Sequence, residues 1–218
     1  MLRLIFPPKC SFCRTILVSG EKHLCESCRK NAPDYKNEKR NIPFVAKWTA
    51  MWYYKEYVRK SIHRYKFGNA RGYADVYCEF LSKKLAKEGL ASGVDLITWV
   101  PVSRQRRFKR SYDQAELLAR ALANHLPIPV RRTLRKTRNN KPQSSLQGAA
   151  ARKANTNGVF AIIDPSLIAG KRILLIDDII TTGVTASECA RILVTSGAKE
   201  VYLAAIAAAG NNNPNELR

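Results

Sequence analysis

The stretch Ile173-Leu174-Leu175-Ile176-Asp177-Asp178-Ile179-Ile180-Thr181-Thr182-Gly183-Val184-Thr185 decides the fold of this chain. An apolar run leads into two adjacent acids, then into hydroxyls gathered around a glycine. A helical pattern follows at once, with Ala186, Ala190, Leu193 and Val194 spaced for one face. That order predicts a buried strand ending at the aspartates, a loop, and a helix whose first amides face the loop. Open parallel sheets bind ligands at that end of their strands, and helix N-termini favour anions. Thr181, Thr182 and Thr185 add hydroxyl donors, Gly183 lets the backbone approach closely, and Val184 belongs to the same loop. The expectation is a phosphate cradle, with Asp177 and Asp178 beside it to hold sugar hydroxyls or a phosphate-bound Mg2+.

Taken singly, an acidic pair can be a loop start and Thr-Thr-Gly a helix cap. In unbroken order the segment resembles the motif that binds 5-phosphoribosyl 1-pyrophosphate (PRPP) in type I phosphoribosyltransferases. The resemblance implies that Asp177 and Asp178 meet the ribose hydroxyls and that Thr181 to Thr185 hold the 5′-phosphate.

Outward from this motif, the chain reads as alternating strands and helices. Strands are expected at Thr49 to Tyr54, Asp95 to Val102, Val130 to Leu134, Val159 to Ile163 and Val201 to Ala208. Helices are expected around Val58, Ile62 and Tyr65, around Tyr73 to Leu81, and from Tyr112 to His125. The segment after Val102-Ser103 holds five cations in seven residues, Arg104 to Arg110. By the same resemblance, Val102, Ser103 and Arg104 belong to a pyrophosphate loop. Five cations exceed what one pyrophosphate uses, so Arg106, Arg107, Lys109 and Arg110 are candidates for nucleic-acid phosphates, with a solvated face as the competing reading. A second basic cluster, Arg131, Arg132, Arg135, Lys136, Arg138 and Lys141, favours nucleic acid. From Thr137 to Asn157 no apolar periodicity is seen, which suggests a long functional loop.

Composition supports an anionic partner. Lys and Arg number 38 against 17 Asp and Glu, a formal net charge of +21, which attracts polyanions. A hydrophobic share of 45% provides for a core. No apolar stretch is long enough to span a membrane, and Met1 to Phe6 is too short for a signal peptide. A cytoplasmic location is expected, where thiols stay reduced. Trp48, Trp52, Tyr53, Tyr54, Tyr57, Tyr65 and Phe67 interleave with cations as single-strand binders require, although most such rings belong to a core.

Four of the six cysteines form Cys10-x2-Cys13 and Cys25-x2-Cys28, eleven residues apart. Disulfides or a redox motif compete with a zinc site; a reducing compartment and doubled spacing favour four thiolates on one structural Zn2+. Metal ligation supplies folding free energy that so short a region lacks. Cys78 and Cys189 read as small core residues.

The whole chain resembles the ComF family of competence-associated proteins. The features are Phe6-Pro7-Pro8-x-Cys10 and the knuckles, Tyr65-Lys66-Phe67, Val100-Pro101-Val102 and the Gln114 to Ala119 helix. Gln143-x2-Leu146, Arg152-x2-Asn155 and the PRPP motif complete them. The family shows Gly-Phe-Asn-Gln where this chain has Ser111-Tyr112-Asp113-Gln114; Asp113 either adds negative charge beside the pyrophosphate loop or caps a helix. The resemblance implies an α/β fold, a Rossmann-like parallel sheet of type I phosphoribosyltransferase character with an N-terminal four-cysteine zinc ribbon. The expected division is ribbon 1–32, linker 33–48, phosphoribosyltransferase-like domain 49–210 and disordered tail 211–218. It also implies work on single-stranded DNA in DNA uptake and natural transformation, alongside a competence helicase. Two functions stay open: a DNA-binding protein with a PRPP-binding pocket, or an active phosphoribosyltransferase using Mg2+ and an unknown acceptor.

Overall fold

The computed structural model describes residues 7–36, 40–103, 112–137 and 158–210. In chain order the elements are α1 (Glu26–Lys30), β1 (Lys47–Tyr53), α2 (Glu56–Phe67), α3 (Tyr73–Lys87), β2 (Leu96–Trp99) and α4 (Gln114–Ala123). They continue as β3 (Leu134–Lys136), β4 (Phe160–Ile162), β5 (Arg172–Ile180), α5 (Val184–Thr195) and β6 (Glu200–Ala208). Four strands make a parallel sheet in the order β1-β6-β5-β2, and β3 pairs antiparallel with β4 beside it.

The sheet is apolar on both faces because it is covered on both, as parallel sheets require. Leu174, Ile176, Tyr202, Ala204 and Ile206 face α2, α3 and α4. Ile173, Leu175, Val201, Leu203 and Ala205 face α5 and the β3–β4 pair. Strand alternation thus divides a nearly continuous hydrophobic run between two cores. Helix α2 buries Val58, Ser61, Ile62 and Tyr65, a 3.6-residue stripe, and stops at Gly68. Cys78 and Cys189 are fully buried small residues.

The strand of the acidic pair differs from its expected form. It runs on through Asp177 and Asp178 to Ile180, because Asp177, Ile179 and Ile180 stay in register with Ala205, Ala207 and Ala208 of β6. The small side chains of β6 leave room for this extension. Strand β2 is shorter than expected, four residues, since Val100-Pro101 carries the chain out of the sheet. Strand β3 starts at Leu134, where the expected strand ended; Val130 makes an isolated bridge to Ile97.

The segment expected as a linker, 33–48, is packed in its described part. Asp34 bridges to Trp52, and Tyr35 and Ile42 are buried. β1 itself begins at Lys47. The ribbon likewise shares the body's core: Phe12 stacks edge-on against Trp52, with ring centroids 5.0 Å apart. Ser61 and Arg64 of α2 donate to the Ser11 carbonyl, and Arg64 also to that of Phe12. Glu79 of α3 binds Lys22 and His23.

Candidate functional site

Pairing between β2 and β5 ends at Ile176, whereas β5 and β6 remain paired to Ile180. The outer edge of β5 at 177–180 is therefore left by β2, whose chain turns away through Val100 to Ser103. This is the carboxyl end of the parallel strands, where such sheets take ligands.

Asp178 meets a cation from α2: the Lys66 ammonium lies 2.8 Å from its carboxylate, both side chains being mostly buried. Asp177 accepts the amide of Asp178 at 2.8 Å. Burial, then the charge of Asp178, pushes its carboxyl up to about 8, against the pull of that amide and of Lys66. Asp113 lies near enough for the charge of Asp178 to act on it. Its position is well defined: it caps α4 by accepting the Glu116 amide at 3.2 Å, and accepts the Val102 amide at 3.1 Å. The cap is formed, and the bond to Val102 places the same carboxyl beside the expected pyrophosphate loop. Burial raises this carboxyl, with the two amides opposing.

Past Ile180, Gly183 turns at φ +78° and α5 starts without a side-chain cap, so its first-turn amides have no capping side chain. No described residue hydrogen-bonds the hydroxyls of Thr181, Thr182 or Thr185; Thr182 is exposed, Thr181 and Thr185 half-buried. Val184 is half-buried at the helix start. Arg40 donates to the carbonyls of Thr181 and Ala209, at 2.5 and 2.6 Å, and Ile42 packs on Gly183. The polar composition around Arg40 gave no sign of that anchoring.

Lys66 was legible only as part of Tyr65-Lys66-Phe67. Its place follows from its neighbours: Tyr65 donates to the Gln114 carbonyl at 2.8 Å, and Tyr112 donates to the Tyr65 carbonyl. The end of α2 is thereby clamped to the start of α4. The expected Mg2+ does not fit the acids as they stand. A divalent ion at this pair would have to displace the Lys66 ammonium from Asp178.

Of the expected pyrophosphate loop, Val102 is half-buried with its amide on Asp113, and Ser103 is buried; Arg104 lies outside the described residues. So do Arg106, Arg107, Lys109, Arg110 and Arg138, with Ser111, most of the 137–157 loop and the tail. Arg131, Arg132 and Arg135 are exposed along the lead-in to β3 and on β3 itself. Lys136 turns partly inward over the Phe160 ring, 5.4 Å from its centroid. Most of the interleaved aromatics are core or half-buried; Tyr57 at 45% and Phe67 at 59% are the exposed ones. Phe67 shares one face of α2 with Lys60 and His63, and its ring lies 4.8 Å from that of His63.

The four expected metal ligands converge. The Sγ atoms of Cys10, Cys13, Cys25 and Cys28 all lie within 4.8 Å of one another, and Cys13 and Cys25 are 3.7 Å apart. Sulfurs on one tetrahedral zinc stand about 3.8 Å apart, given a Zn–S bond near 2.3 Å, so this cluster fits. The first knuckle closes through Arg14 at φ 75°, its amide on the Cys10 carbonyl. Burial tends to raise the Cys13 thiol, but hydrogen bonds from Thr15 and the neighbouring thiols bring it to about 6. Burial and the same neighbours push Cys28 far up.

Comparison with known proteins matches these two parts in order. A double zinc ribbon domain matches residues 1–39 and a phosphoribosyl transferase domain residues 113–216. Competence protein F of Haemophilus influenzae is 26% identical over 207 residues, 93% of this chain and 85% of that protein. Competence protein ComFC of Bacillus subtilis is 26% identical over 200 residues, 86% of this chain and 78% of that one. DNA utilization protein YhgH of Escherichia coli K12 is 28% identical over 146 residues, 65% of this chain; the match spans 63% of that protein's length. No helix among the described residues is long and apolar enough to cross a membrane. A zinc ribbon ahead of a phosphoribosyltransferase-type sheet, with alignment to two competence proteins along most of the chain, supports placing it with the ComF family.

Proposed function

We propose that this protein binds single-stranded DNA in the cytoplasm during DNA uptake and natural transformation, and carries a pocket for PRPP or a related phosphosugar. The names of its relatives support the DNA role. The observation that carries the pocket is the uncapped start of α5 beside Asp177 and Asp178, at the sheet's ligand edge. The 5′-phosphate is assigned to Thr181 through Thr185 and the ribose to the acids. DNA is assigned to Arg131, Arg132 and Arg135 on the described surface, and to Arg106, Arg107, Lys109, Arg110 and Arg138 in the sequence around it. Lys136, turned over Phe160, belongs less to that path. A competence helicase is the proposed protein partner. Zn2+ is assigned to Cys10, Cys13, Cys25 and Cys28 as a structural ion.

Salt dependence tests the DNA assignment. Contact with about five phosphates gives a log–log slope near −3.5 for a single strand. Replacing Arg131, Arg132 and Arg135 together by Ala should reduce its magnitude by about 2, at about 0.7 per phosphate; an unchanged slope removes them from the path. For the pocket, PRPP should raise the melting temperature of the parent protein and not of Thr181→Ala with Thr185→Ala.

A second reading, an active phosphoribosyltransferase, is favoured by the complete Ile173 to Thr185 segment. Pyrophosphate release from PRPP in the presence of candidate bases would establish it. Binding without release leaves the pocket as a ligand site.

A further inference from the structure

Asp178, with Asp177 beside it, stands at the edge where a phosphosugar would enter. PRPP carries phosphate charge at both ends of its ribose, so a carboxylate left bare there would repel it. In this chain a cation already stands at one of the acids. Lys66 Nζ is 2.8 Å from Asp178, with 17% and 18% of the two side chains exposed. Its backbone is held: Tyr65 is buried against Tyr77 and Tyr112, and bonded to α4 at both its hydroxyl and, through Tyr112, its carbonyl. An ammonium so placed neutralises the acid and keeps further N–H donors for an incoming oxyanion.

We propose that Lys66 is the pocket's own cation: fixed on α2 against Asp178, it takes the place at the acid pair that a divalent metal would fill, so phosphosugar binding does not require Mg2+. The inference rests on the PRPP reading of the pocket and specifies its electrostatics. It makes Lys66 a ligand-binding residue rather than only a tie between α2 and β5.

The test is PRPP titration of the full-length zinc-loaded chain by calorimetry, with and without Mg2+. The Mg2+-free buffer is prepared on a chelating resin, because EDTA would take zinc from the ribbon. The parent protein should bind with the same affinity in both buffers. Lys66→Gln should lose about tenfold or more without Mg2+, the size of one charge-assisted hydrogen bond, and regain most of it when Mg2+ is added. Lys66→Arg, which keeps the charge, should bind in both. A parent protein that needs Mg2+ overturns the proposal and leaves the PRPP reading standing, as does Lys66→Gln binding unchanged without the ion. Binding by the parent in neither buffer overturns the PRPP reading and this inference with it. The parent measurement holds whether or not Lys66→Gln folds.

Discussion

Ile42 closes over Gly183: a Cβ built on that glycine would lie 3.0 Å from the isoleucine Cγ1 and 3.1 Å from its Cδ1. The turn into α5 thus has two reasons for glycine. Its φ of +78° disfavours any side chain, and the space a side chain needs belongs to a residue 141 positions earlier in sequence.

Gly183→Ala should therefore destabilise the fold by about 1–3 kcal/mol through backbone strain and the Ile42 contact. Adding Ile42→Ala should not restore stability, since the φ penalty stays and a cavity is added. Urea unfolding of the single and double variants measures both. A neutral Gly183→Ala would contradict the geometry.

Asp177 should make stability fall with rising pH. Folded Asp177 keeps its proton to about pH 8, whereas an unfolded aspartate gives it up near pH 4. Between these values the folded state binds more protons, so this group's stabilising contribution is complete below about pH 4 and is lost as pH rises through about 8. Asp177→Asn, neutral throughout, should show a flatter melting-temperature profile from about pH 5 to 8. A profile parallel to that of the parent would mean that Asp177 ionises normally.

Arg64 ties the ribbon to α2 through two main-chain carbonyls, at 2.8 and 2.6 Å. Arg64→Ala should cost about 1.5–3 kcal/mol, the range for hydrogen bonds to a charged donor. It should also speed zinc loss to a chromogenic chelator. Unaltered release would place the two halves in weaker contact than the geometry gives.

Withdrawal of zinc should be visible beyond the ribbon. Trp52 packs against Phe12 and is otherwise ringed by Tyr77 and Phe80. Chelation should red-shift its emission as Phe12 leaves, and Trp52→Phe should abolish most of that shift. Emission unaffected by chelation would show a ribbon core independent of its metal.

Local order in the sequence sufficed for the sheet, the helices and the four cysteines, because strand alternation, helical stripes and C-x2-C knuckles are all short-range patterns. The turn at Gly183 between β5 and α5 was readable for the same reason. The length of β5 was not: the acids look like a strand's end, and only the alanines of β6 keep them in the ladder. Lys66, Arg40 and Ile42 reach the site from 112, 141 and 141 positions away from Asp178, Thr181 and Gly183. No periodicity reports such contacts. Asp113 was caught between two readings until its carboxyl was seen to accept two amides at once.

The shared core has a consequence for how the chain is made. The ribbon precedes the body in synthesis, and its knuckles hold every ligand they need for the metal. Yet Phe12 and Leu24 point into a core completed by Trp52, Ile62 and Leu81. A nascent ribbon can hold its ion while its apolar underside stays uncovered until α3 has emerged.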